Sequence, residues 1–305
     1  MTNEVIASPD GCRAPSTVNR HRGRAPDGTW APTEGIIGRM SMLRVSFLHL
    51  APVTGDIQRN RRLLESAVKV AAKEGAGWAI TPELWVSGYL FVKQIGTDWI
   101  LSQPDDWMRG FCRLVGELGL TVFLSHPERD PESDRLYNTV FVIDPHGKIV
   151  GKHRKIKPLR GTEAWSSPGR EINPVGVDRL KVGILVCADS YLNDVAQELK
   201  EKGAQVLVSP VSWGPGPCAP DGEWEQRTID TGLPIMVCNR SGIEDESLDF
   251  RQAESIVAQH GRRLLTGTCD RSVVLSFDWD TDAMALLSTD FRRAYLEEKP
   301  GVLLR

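Results

Sequence analysis

The chain has 305 residues, enough for one large domain with a sizeable core. Charged residues make up 25% of it and the formal net charge is -3, so no strong field draws it to nucleic acid or to a membrane surface. Six cysteines without a C-x-x-C pair fit reduced thiols in a cytoplasmic setting, and no apolar run nears the roughly 20 residues that span a bilayer. Residues 1–42 scatter Pro, Gly, Ser and Arg without a period of 2 or 3.6, which predicts an unordered extension ahead of a folded domain over 43–305. The regular pattern begins with "LRVSFLHL", of strand character. "IQRNRRLLESAVKVAAKEG" follows, with Leu64, Ala67, Val68 and Ala71 at helical spacing. "WAIT" reads as a short strand leading to "PELWVSGY", and "DWMRGFCRLVGELG" as a helix. "LTVFLSH" and "LYNTVFVI" read as strands, the second turning through "DPHGK" into "KIVGKHRKI". Later come strand "RLKVGILV", helix "LNDVAQELKEKG", strand "AQVLVSP", helix "EWEQRTIDTG" and strand "PIMVCN". Two strands near "QAESIVAQ" and "RSVVLSF" are expected to join through "HGR". Repeated strand-helix-strand units predict an α/β fold, and the hairpins a mixed sheet.

Three residues stand where chemistry is plausible. Cys187 ends a buried-type strand, the place where open α/β sheets hold ligands, although a lone cysteine there is more often an inert core thiol. A thiol also needs a base or a cation before it reacts well at neutral pH. Glu83 ends another apolar strand after Pro82, where the bland role is a solvated carboxylate. Lys155 lies in the basic stretch "GKHRKIKPLRGTEAW", which by itself reads as a solvated face.

Together, "PELWVSGY", "HRKIKPLRGTEAWSSPG" and "VGILVCADSYLNDVAQELKEKGAQVLVSP" resemble, in order and spacing, the nitrilase superfamily of carbon-nitrogen hydrolases, over residues 43 to about 277. The resemblance implies a four-layer αββα sandwich, usually dimerised, so a homodimer or higher homo-oligomer is expected. It assigns the catalytic glutamate to Glu83, the lysine to Lys155 and the cysteine to Cys187, with Glu163 similar to a second glutamate of amidase members. It implies a small-molecule amide substrate, a thioester acyl-enzyme and no metal or organic cofactor. The N–H of Ala188 would join Lys155 in holding the oxyanion. Ser212 and Trp213, in the loop after "AQVLVSP", are candidates for substrate contact, as are Tyr137 and Trp85, with loop packing the alternative for Trp213 and packing of the site the alternative for Trp85. Tyr137 and its neighbour Asn138 could equally support the site or cap the hairpin.

Members that cleave nitriles follow the cysteine with Trp-Glu, whereas Ala188 and Asp189 stand here, which favours an amide. The arginine that N-carbamoyl amino acid hydrolases place soon after the cysteine is replaced by Ser190, Tyr191 and Leu192. Ureide or nitrile hydrolysis, transfer to an acceptor other than water, and a silent binding protein on the same fold stay as alternatives. A papain-like protease would need a histidine partner, for which His153 is the nearest candidate. Neither H-E-x-x-H nor paired cysteines offers a zinc site.

Overall fold

The computed structural model describes residues 41–296; the expected N-terminal extension lies outside the described residues, apart from its last two positions. Strand β1 (Met42–His49) leads to α1 (Ile57–Lys73), which starts where the Asp56 carboxylate accepts the Arg59 N–H at 3.0 Å and buries Leu64, Ala67, Val68 and Ala71 on one face. β2 (Trp78–Ile80) is followed by the single turn α2 (Val92–Ile95). Next comes α3 (Asp106–Leu118), capped by Asp105 and closed by Gly119 in the left-handed region. β3 (Thr121–Arg129), β4 (Leu136–Ile143) and β5 (Ile149–Arg154) form an antiparallel meander. β6 (Val175–Val177), β7 (Leu180–Ile184), α4 (Asn193–Glu201), β8 (Val206–Pro210), α5 (Glu223–Thr231) and β9 (Ile235–Cys238) follow, with a 3-10 turn at Cys187–Tyr191 between β7 and α4. Short β10 (Ile243–Asp245) and β11 (Leu248–Asp249) precede β12 (Ser255–Gln259), β13 (Arg262–Gly267), β14 (Val273–Asp280), β15 (Ala285–Leu286) and β16 (Arg292–Tyr295).

These strands form two large mixed sheets. The first runs β15-β14-β1-β2-β3-β4-β5, with β16 also on β14; the second runs β13-β12-β9-β8-β7-β6. β1, β2 and β3 are parallel neighbours, as are β7, β8 and β9. One core joins Phe47, Trp78, Ile80, Phe123 and Val142 of the first sheet to the buried residues of β7, β8, β9 and β12, and to Val195, Ala196 and Leu199 of α4. A second core packs the other face of the first sheet, Leu48, Ala79, Val122 and Phe141, under α1 and α3. The layers are therefore helix, sheet, sheet, helix.

One expected connection is different. "HGR" closes a hairpin from β12 into β13, a strand the sequence reading omitted, while β14 leaves for the other sheet and pairs antiparallel with β1 along its length. β13 was missed because Arg262, Arg263 and Leu264 are exposed on this edge strand, which blurs the apolar pattern.

Candidate active site

The carboxyl ends of β2, β5, β7 and β8 converge and bring Glu83, Lys155, Cys187 and Ser212 together from four loops. Two of these residues sit on bent backbone. Leu84 takes φ +46° and reverses the chain straight after Glu83, and Cys187 itself takes φ +48°. A non-glycine residue in that region costs about 1–3 kcal/mol and persists where its surroundings fix it. At Lys155 the strand end is held by Gly169, whose N–H donates to Lys155 O at 2.7 Å. A side chain at position 169 would collide with the Arg154 carbonyl.

Lys155 is fully buried between two fully buried carboxylates. Its Nζ donates to Glu83 Oε1 at 2.7 Å and to Glu163 Oε2 at 2.6 Å. Asn138 bridges the same pair, its Nδ2 donating to Glu83 Oε1 at 2.9 Å and Glu163 Oε1 at 2.8 Å. The other oxygen of Glu83 accepts from the Ser212 N–H at 3.1 Å, and Ser212 Oγ donates to the Glu83 carbonyl at 2.7 Å. Tyr89 Oη lies 3.4 Å from Glu163 Oε2, which also accepts the Leu159 N–H. Glu83 is thus held by three donors and lies beside the Cys187 thiol, close enough for each group to shift the other's proton affinity.

Burial governs the proton affinities. Desolvation pushes the Glu83 carboxyl up from the usual range; Lys155 opposes that rise and Glu163 adds to it. The Cys187 thiol is pushed well up, first by burial and then by the Glu83 charge, so it rests protonated. Burial acts to lower Lys155, but the fields of the Glu83 and Glu163 carboxylates outweigh it and keep the ammonium charged. The arrangement is a neutral thiol beside a carboxylate of raised basicity and a fixed cation. Asp189 N–H makes the first bond of the 3-10 turn, to Val186 O, so the Ala188 N–H precedes the bonded ladder beside the sulfur.

The proposed substrate contacts fare unevenly. Ser212 commits its amide and hydroxyl to Glu83 and so orients that carboxylate. Trp213 donates its indole N–H to Cys218 O at 2.6 Å, with its ring beside Tyr191 and Trp224, which makes it a wall. Tyr137 sits apart from the cluster around Glu83. Strand alternation turns it away from Asn138's side, and its ring lies 4.0 Å from the Arg154 guanidinium carbon. Trp85 takes its packing alternative, carried by the turn at Leu84 into the core that α1 and α3 cover. His153 Nε2 lies 3.1 Å from Asp189 Oδ2, so its polar contact is with that carboxylate. Sequence reasoning left Asn138 undecided and missed Tyr89. Asn138 could have been assigned from strand alternation: if Tyr137 faces outward, Asn138 faces inward.

The description of the family model that matches residues 44–282 is carbon-nitrogen hydrolase. The chain belongs to that family. Among curated relatives, it is 26% identical over 268 residues to a glutamine-dependent NAD(+) synthetase of Thermotoga maritima, covering 85% of this chain and 46% of that protein. It is 28% identical over 239 residues to a citrullinase of Francisella tularensis subsp. tularensis, covering 72% and 82%. A Pyrococcus abyssi nitrilase matches at 28% identity over 56% of this chain and 65% of its own length. The chain thus spans about half of the first of these relatives and two thirds of the last. Among solved structures, an amidase of Nesterenkonia sp. AN1 superposes with TM-score 0.70 at 23% identity, covering 81% of this chain and 94% of that one. That structure carries the acetamide moiety of fluoroacetamide on its active site cysteine. A nitrilase-superfamily member from Saccharomyces cerevisiae gives TM-score 0.69 at 20% identity, covering 80% and 92%. No described helix is long and apolar enough to cross a membrane.

Proposed function

We propose that the chain is a cysteine-dependent amidase that hydrolyses a small non-peptide amide to an acid and ammonia or an amine. The observation that carries this reading is the buried Glu83–Lys155–Glu163 cluster against the Cys187 thiol. Glu83 takes the thiol proton as sulfur bonds to the amide carbonyl, and the carbonyl electron pair moves onto oxygen. Lys155 Nζ and the Ala188 N–H hold that oxyanion, a contribution of about 3–4 kcal/mol per donor in comparable sites. On collapse, the C–N bond breaks and Glu83 returns its proton to the departing nitrogen. Glu83 then takes a proton from water as the water attacks the thioester, and the acid leaves with the thiol restored. Because the resting thiol is neutral, its deprotonation is coupled to attack.

The test is ammonia release over matched amides, ureides and nitriles sharing one side chain, with intact-protein mass recorded for each. Sulfur attack on a nitrile gives a thioimidate whose nitrogen must take up a proton, whereas attack on an amide gives the oxyanion that Lys155 and Ala188 suit. The amide should therefore lead in kcat/KM by at least about tenfold, or about 1.4 kcal/mol. A lead for the nitrile or ureide across several pairs would remove the amidase assignment, and no acyl adduct on Cys187 with any compound would remove the thioester.

A further inference from the structure

Asp189, two residues after the nucleophile, is fully buried and receives four donors from two separate segments. Oδ1 accepts the N–H groups of Ile156 at 3.0 Å and Lys157 at 2.8 Å, immediately beyond Lys155. Oδ2 accepts the N–H of Val186 at 3.0 Å, immediately before Cys187, and faces His153 Nε2 at 3.1 Å. One carboxylate therefore ties the backbone that presents Lys155 to the backbone that presents Cys187 and the Ala188 N–H. An ionised carboxylate only accepts, so His153 carries its proton on Nε2 and is oriented by Asp189.

We propose that Asp189 is the positioning residue that sets the oxyanion donors in register with the sulfur. This rests on the acyl-transfer reading above. Lys155 and Ala188 come from different sheets, and a misplacement near 1 Å is enough to cost about a hundredfold in rate. Asparagine has nearly the same shape, but its NH2 would face either Ile156 and Lys157 or Val186 and His153, all of which are donors. One of the two segments then loses its anchor. The nucleophile's own proton path, from Cys187 to Glu83, does not pass through Asp189.

Two reactions of the full-length protein separate these roles. Acylation by p-nitrophenyl acetate forms the S–C bond through a tetrahedral oxyanion and expels p-nitrophenolate. Alkylation by iodoacetamide forms an S–C bond, expels iodide and makes no oxyanion. In Asp189→Asn the acylation rate should fall at least about a hundredfold, while alkylation stays within about threefold of wild type. Should that variant fail to fold, Asp189→Ser leaves room for bridging water and should show the same split. Acylation within about threefold of wild type would overturn the proposal, as would both rates falling in parallel, which would give Asp189 only a role in forming the elbow. If the wild type is acylated by the ester but turns over no amide, the amidase reading fails and the Asp189 comparison still decides this one. If the wild type is not acylated at all, both fail.

Discussion

At the scale of single residues, the proposed mechanism has Cys187, Glu83 and Lys155 serve one intermediate, so their effects should not add. Cys187→Ala, Glu83→Gln and Lys155→Met should each reduce turnover by at least about a thousandfold, and the triple variant should be little worse than the worst single one. Steady-state rates on a preferred amide, with circular dichroism to confirm folding, check this. Near-wild-type turnover in folded Cys187→Ala would remove the mechanism. Glu163 acts differently, through its charge. It sits on Lys155 beside Glu83 and raises the Glu83 proton affinity. In the proposed mechanism Glu83 works as a base when ionised, so activity should be lost as pH falls through its raised pKa. Glu163→Gln removes one cause of that rise, and the acid limb of kcat/KM should move to lower pH. An unmoved or upward-shifted limb would mean the two carboxylates do not communicate in this way.

At the scale of elements, α1 reaches the site through one polar residue. Asn60 is buried on the same face as Leu64 and Ala67, accepts the Val53 N–H at 2.9 Å and donates to Val53 O at 2.8 Å and Val86 O at 2.9 Å. Val86 is in the Glu83 loop, so Asn60 ties that loop to the helix. Asn60→Ala leaves those groups without partners and should cost about 2–3 kcal/mol. For a domain of this size that is a fall of roughly 4–6 °C in Tm, readable by calorimetry; a shift under about 2 °C would show that water replaces the bonds. The helical period identified α1 and its buried face correctly. It also offered a signal left unused, since Asn60 continues the apolar stripe four residues before Leu64. Periodicity failed where an element is short or lies at an edge, as with β13 and the strands β6, β15 and β16. At the site, spacing alone located strand ends, and the resemblance was needed to connect Glu83, Lys155 and Cys187. Which of its two roles Trp85 takes was beyond pattern reasoning, because the left-handed turn at Leu84 that directs it into the core has no glycine to announce it.

At the scale of the whole molecule, two buried histidines of the first sheet tie stability to solvent pH. His49, on β1, and His126, on β3, are each pushed down to about 4, mainly by burial. The cause is visible at His126. Its Nδ1 lies 2.7 Å from the Pro127 carbonyl and donates to it, while Nε2 has no partner among the described residues, so a second proton would be buried without an acceptor. The sign follows from which state holds the proton. Above about 6.5 both folded and unfolded forms are neutral; between there and about 4 only the unfolded form is charged, so stability falls with pH across that window. Each histidine should contribute a loss of about 2 kcal/mol between pH 7.5 and 5. Glu83 works against this, because a carboxyl with a raised folded pKa gains relative stability as pH drops. Isolating the histidines therefore requires variants. In urea unfolding at the two pH values, His126→Phe and His49→Gln should each shrink the wild-type loss by about 2 kcal/mol, and the double variant by about twice that, since the two sites are on different strands. If both variants keep the full wild-type loss, the acid sensitivity comes from other groups, such as the Glu128 carboxylate that Arg154 and Lys152 hold low against its burial.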